Sequence, residues 1–149
     1  MEFARKKVAL VPSWIGHWIA TPAVRWLALL GLCAAYLQGG IDKAFDLNGA
    51  INEVRHFGLE PAAPMAIATI ITELAGSALI LTGFYRWLGA LWLAGFTLMA
   101  TIIANRFWEL PMAERFMSEN TFFEHLGLVG GFLLVAWHDL VRSSAPPEL

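Results

Sequence analysis

Two adjacent stretches constrain this chain more than any other feature. Pro61 to Tyr85 carries one charged residue, Glu73, and Trp87 to Asn105 carries none. A helix needs about 20 mainly apolar residues to cross the hydrocarbon layer of a bilayer, and both stretches meet that length. Both are apolar all round, whereas a helix on the surface of a soluble protein keeps a polar face at a period of 3.6 residues. Tyr85 and Arg86 are the only turn between them, so the two helices are expected to be antiparallel neighbours.

Two further stretches reach crossing length with their flanks. Trp26 to Ile41 is free of charge, and Thr121 to His138 has only Glu124 near its start. The expected fold is therefore an all-α membrane protein, a four-transmembrane-helix bundle over residues 22–140. Its spans fall at about 24–45, 61–85, 87–106 and 121–139. Composition agrees with this. Of 149 residues, 58% are apolar and 15% charged, against about 45–50% and about 25% in globular chains. A net charge of −2 gives no reason to expect a nucleic-acid partner. The partner that composition demands is the lipid bilayer.

Residues 1–21 read as a cytoplasmic N-terminus with an interfacial helix. Arg5, Lys6 and Lys7 resemble the start of a signal peptide, but Pro12, Gly16 and His17 break the apolar run that would follow. Trp14 and Trp18, with Ile15 and Ile19, recur four residues apart and suit a short helix lying in the interface. Residues 141–149, with Pro146 and Pro147, read as a disordered tail.

Cations set the expected orientation. Arg5, Lys6, Lys7, Arg25, Arg86 and Arg142 fall on the N-terminal side of the bundle, against Lys43, Arg55, Arg106 and Arg115 on the other, six against four. That bias puts both ends in the cytoplasm of a bacterial-type inner membrane. The seven Trp mostly flank the spans, as interfacial aromatic belts do. Gly31, Ala35 and Gly39 in the first span, and Gly127 and Gly131 in the fourth, form small-residue stripes. These suit close helix packing within the bundle, with self-association as the alternative.

Charged side chains within a bilayer usually face the bundle interior and find partners. Asp42 and Lys43 end the first span, Asn105 and Arg106 the third, and Glu124 and His125 open the fourth. With Trp108 just beyond, these groups are expected to converge in a polar pocket at the outer end. Glu73 lies 12 residues after Pro61, about 18 Å along a helix, which places it near mid-membrane. Thr97, Thr101 and Asn105 make a polar stripe on the third span that leads towards it. Glu73 is either a proton or ligand site, or interhelical glue bonded to Gln38 or a threonine. For Asp42, Lys43, Arg106 and Glu124, a ligand site and ion pairing at helix ends both stand. Trp108 is a candidate stacking wall for a quinone ring.

Metal and haem are not expected. His125 and His138 are 13 residues apart on one helix, about 20 Å by the helix rise, too far to share a haem. Glu73, Glu124 and His125 differ in depth, which does not suit a metal. The single cysteine, Cys33, excludes an internal disulfide or a CxxC pair.

Four segments resemble DoxX-like membrane proteins. LQGGIDKAF, Leu37 to Phe45, is similar to the SG-x-x-K signature that ends that family's first helix. ELAGSALILTGF, Glu73 to Phe84, resembles its acidic residue and Gly-rich second helix. NRFWEL, Asn105 to Leu110, and NTFFEHLGLVGGFLL, Asn120 to Leu134, resemble the H/N-x-F-W element and the opening of helix four. Gly39 stands where the signature has Ser. Glu124-His125 stands where the family commonly has Lys-Asn, so no role of that Lys is carried over. The family takes its name from subunits of a thiosulfate:quinone oxidoreductase. The resemblance implies a non-catalytic membrane subunit near redox chemistry, with other membrane or redox subunits as partners. No covalently bound cofactor is expected, and quinone is the candidate ligand for the pocket beside Trp108. A small-solute or proton transport module and a structural assembly partner are the alternatives.

Overall fold

The computed structural model describes residues 12–144. Every regular element among them is helical: α1 (Ser13–Ile19), α2 (Pro22–Phe45), α3 (Leu47–His56), α4 (Ala62–Thr82), α5 (Arg86–Ala104) and α6 (Arg115–Ser143), with a 3-10 turn at Phe107–Glu109. Four of these, α2, α4, α5 and α6, are long and apolar enough to cross a membrane. The cations Arg5, Lys6 and Lys7 and most of the expected tail lie outside the described residues. The start of that tail is corrected, because α6 continues through Ser143.

Local chemistry sets the element ends. Thr21 caps α2 by accepting from the Val24 N–H, and Asp46 caps α3 by accepting from the Gly49 N–H. Such a cap satisfies one of the amides a helix start leaves without a partner. The α4–α5 turn is Gly83 to Tyr85 rather than Tyr85 and Arg86. Gly83 takes the left-handed conformation (φ 85°) in which glycine ends helices without a steric penalty. Arg86 opens α5 and donates from Nε back to the Ile80 carbonyl at 2.8 Å. Asp139 of α6 receives the Trp87 N–H at 3.2 Å and faces the Arg86 guanidinium at 3.7 Å. One carboxylate thus ties the start of α5 to the end of α6.

Within the connection from Asp42 to Glu60, residues 42–45 complete α2 and Leu47–His56 fold as α3, an amphipathic helix laid against α4. The fourth crossing helix starts earlier than Thr121, at Arg115. At about 1.5 Å per residue α6 is about 44 Å long, more than the ~30 Å hydrocarbon layer, so its charged first turns reach beyond the layer. Arg115 fixes that end by donating to the Leu110 carbonyl at 2.9 Å.

In the bundle, α4 packs between α2 and α5, and α5 packs between α4 and α6, while α2 and α6 barely touch. The buried core joins Cys33 and Tyr36 of α2, Ile80 of α4, Leu93 of α5 and Phe132 of α6. Outward faces carry Leu27, Ile71, Leu91, Met99 and Leu133, all exposed. In water that surface would be a large apolar patch, and in a bilayer it meets its own solvent.

The expected glycine stripes take part in close packing at one end each. A Cβ at Gly31 or Gly127 would meet nothing within 4 Å, whereas one at Gly131 would stand 3.1 Å from Leu32 Cδ1 and one at Gly39 would stand 3.6 Å from Glu73 Oε2. The tightest helix contacts lie outside the stripes. A Cβ at Gly76 would stand 2.7 Å from Leu93 Cγ, and one at Gly89 would stand 2.8 Å from the Gly76 carbonyl oxygen. Glycine on both helices lets α4 and α5 approach backbone to backbone, as small residues do in membranes.

Candidate functional site

A cavity of about 430 Å³ opens in the half of the bundle that holds the ends of α2 and α5 and the start of α4, called the outer half after the expected orientation, with the other half called inner. Its walls come from α2, α3, α4 and α5, with His125 of α6 at one side. Most of the lining is apolar. Ala68 of α4 and Met99 of α5 line it and are also exposed, so it is not sealed from the surroundings. Those residues sit about 8–9 Å inside the outer helix ends, within the apolar span.

The charged part of the wall is an ion pair. Lys43 of α2 reaches Glu73 of α4 with Nζ 3.1 Å from Oε1 and 3.3 Å from Oε2. The Lys43 side chain is 21% exposed and that of Glu73 9%. Glycines make this approach fit. A Cβ on Gly40 would stand 2.8 Å from Leu74 Cδ2, and one on Gly39 would stand 3.2 Å from Lys43 Nζ. The QGGIDK stretch therefore serves two ends. Its glycines bring α2 onto α4, and its lysine meets the acid found there.

This corrects one expectation about Glu73. Its partner is Lys43, and among the described residues neither Gln38 nor a threonine bonds it. Glu73 lies midway along α4 and packs beside Gly40, about 8 Å short of the end of α2.

A second polar group forms deeper and to the side. The Tyr36 hydroxyl and Thr97 Oγ1 are 2.5 Å apart and buried, and Thr97 donates to the Leu93 carbonyl at 2.6 Å. Towards the outer surface, Asn105 Nδ2 donates to Thr101 Oγ1 at 3.2 Å and lies 3.3 Å from His125 Nδ1. Thr101 Oγ1 is itself 3.3 Å from His125 Nδ1. With Nδ1 accepting from the amide, the His125 ring keeps Nε2 for another partner. Thr97 and Thr101 are fully or almost fully buried, as their shared stripe requires.

Lys43, Glu73, Thr97, Asn105 and His125 thus line one cavity, with Thr101 behind them. Other expected members stand apart. Asp42 is exposed and its carboxylate accepts from Gln38 Nε2. Arg106 is exposed and pairs with Glu109 at 3.6 Å. Glu124 is exposed and accepts from Asn120 at 2.9 Å. Helical rotation explains this last separation, since Glu124 and His125 are about 100° apart and cannot share a face. Trp108 packs edge-on against Phe107 and Phe122 in an aromatic cluster, and does not line the cavity.

Five lining residues carry a legible signal that sequence reasoning missed. Tyr36 is a tyrosine inside a span, and a buried phenol needs a partner. Glu53 and Phe57, with Ala50 and Val54, recur at the spacing of one helix face and roof the cavity from α3. Among the described residues, no three His, Cys, Asp or Glu side chains come together in a way that could hold a metal.

Comparison with known proteins agrees with this architecture. The inner membrane protein YphA of Escherichia coli (strain K12) is 21% identical over 117 residues, 78% of this chain and 84% of that protein. No solved structure matches the chain at a significant level. The family model for DoxX matches residues 26–106, from the first crossing helix to the end of the third and so over more than half of the chain. The chain belongs to the DoxX family and is an integral membrane protein.

Proposed function

We propose that this chain is a membrane subunit of an oxidoreductase or electron-transfer assembly and that its outer cavity holds the ring of a quinone. One observation carries the reading: a mainly apolar cavity of about 430 Å³ with the Lys43–Glu73 pair in its wall. Its volume falls within the roughly 300–1,000 Å³ of small-molecule sites, which combine apolar walls with a few placed polar groups. Its opening within the apolar span suits a ligand that arrives through the lipid. A quinone ring is flat and apolar with a carbonyl at each end. Lys43 can donate to one carbonyl, and the free His125 nitrogen can donate towards the other. Reduction to the quinol takes two electrons and two protons. Glu73 and His125 are placed to pass protons, and the electrons would come from a redox partner subunit.

A conduit for protons or solutes has less support. Below Thr97 the interior is built from Leu93, Ile80, Cys33 and Phe132, and the buried Ser77 hydroxyl there lies beside the Cys33 thiol. The polar string ends partway through the bundle.

The proposed setting is an inner membrane with both chain ends cytoplasmic. The test is purification of the tagged chain from its native membrane in mild detergent. Mass spectrometry is expected to find quinone and at least one redox subunit in the preparation. A preparation with neither would contradict the proposal.

A further inference from the structure

The opposite end of the bundle carries a second cavity, of about 410 Å³, remote from Lys43 and Glu73. It lies where α2 and α5 begin and α6 finishes. Arg25, Arg86 and His138 form its polar rim, and Leu29, Leu32 and Leu134 line its apolar part. The groove exists because α2 and α6 meet only deeper in the bundle. There Leu32 lies against Gly131 and Tyr36 lies edge-on to Phe132. From Arg25 to Leu32 it runs about 10 Å along the helix rise.

Charge at this rim is unbalanced. Arg25 and Arg86 both line the groove, and the Asp139 carboxylate at this end already faces Arg86 at 3.7 Å and accepts from the Trp87 N–H. Arg25 makes no ion pair among the described residues. A cationic surplus at a membrane interface attracts anionic lipid, and basic pockets between crossing helices take such headgroups.

We propose that this groove binds one anionic phospholipid, with its phosphate on Arg25, Arg86 and His138 and one acyl chain along Leu29, Leu32 and Leu134. Both halves of the site point to that occupant. A free phosphate would leave the apolar groove without a partner. A zwitterionic headgroup would bring its own cation to a site that already has too many.

Native mass spectrometry of the full chain in mild detergent tests this. The added probes are phosphatidylglycerol, phosphatidylcholine and inorganic phosphate, with thermal unfolding measured in parallel. One phosphatidylglycerol per chain is expected to survive collision energies that strip phosphatidylcholine, and only phosphatidylglycerol should raise the unfolding midpoint. Arg25→Gln should weaken retention about tenfold, the loss of one charge-assisted contact. Arg25 is exposed in the first turn of α2, so this variant should fold. His138→Gln is the second variant should it not. Equal retention of both lipids would overturn the proposal. So would full retention in folded variants, or an equal midpoint shift from inorganic phosphate.

Discussion

The two halves of this bundle are built from the same four helices and differ in what those helices place between them. In the inner half, Gly76 and Gly89 bring α4 and α5 together, and Leu93, Ile80, Cys33 and Phe132 fill the space. Arg86 and Asp139 then tie α5 to α6 at that end. In the outer half, α3 stands in as a roof, and a cavity opens with an ion pair in its wall. Small residues bring helices together in both halves. Below, they remove space between backbones. Above, Gly39 and Gly40 bring α2 onto α4 and leave room for the charged ends of Lys43 and Glu73. The inner half is packed for stability along the α4–α5 seam and opens only to the side, between α2 and α6, while the outer half keeps a polar constellation among its helices that packing alone does not need.

The largest expected effect is on the outer pair. Lys43→Met leaves the Glu73 carboxylate without its partner. It should cost about 3 kcal/mol, the lower end for breaking a buried pair, because Lys43 keeps some exposure. Unfolding in mixed micelles titrated with SDS reads this. Adding Glu73→Met should recover most of the loss, since two apolar side chains replace the pair. No recovery would mean the pair is needed for the fold itself.

Next comes the inner seam. Gly89→Ala puts a Cβ 2.8 Å from the Gly76 carbonyl oxygen and 2.7 Å from Leu79 Cβ, and neither can move freely. The expected cost is about 2 kcal/mol of overpacking in the same titration. A neutral result would mean that the inner half is looser than described here.

Tyr36→Phe lies at the boundary between the halves. It removes the Tyr36–Thr97 hydrogen bond while Thr97 keeps the Leu93 carbonyl. About 1 kcal/mol is expected. The smallest effect is at Gly31→Ala, on a face with no neighbour within 4 Å. It should be neutral or stabilising by about 0.5 kcal/mol, from helix propensity alone. A large loss there would place an unrecognised packing surface on α2.

Most of the architecture is legible in the sequence, because crossing a bilayer demands length and apolarity and both can be counted along the chain. The site was legible only in part. Lys43, Glu73, Thr97, Asn105 and His125 stand out as polar residues in or beside apolar runs. Which of them meet depends on vertical register between helices, and no single run encodes that. Glu73 stands midway along α4 yet meets α2 near the end of that helix, because α4 begins beside α3. Glu124 was grouped with His125 by adjacency, which on a helix separates side chains. Gly76 and Gly89 were overlooked in favour of regular stripes, since close approach depends on which faces meet.

The most direct test of the outer half as a ligand site is an equilibrium titration with a short-chain quinone, on the chain in nanodiscs and on protein-free nanodiscs. Saturable uptake of one quinone per chain above the lipid background is expected for the natural sequence. The paired Lys43→Met, Glu73→Met variant, folded, should lose at least about tenfold in affinity with its charge-assisted contacts. Equal binding by that variant, or no uptake beyond that of protein-free nanodiscs, would contradict the account.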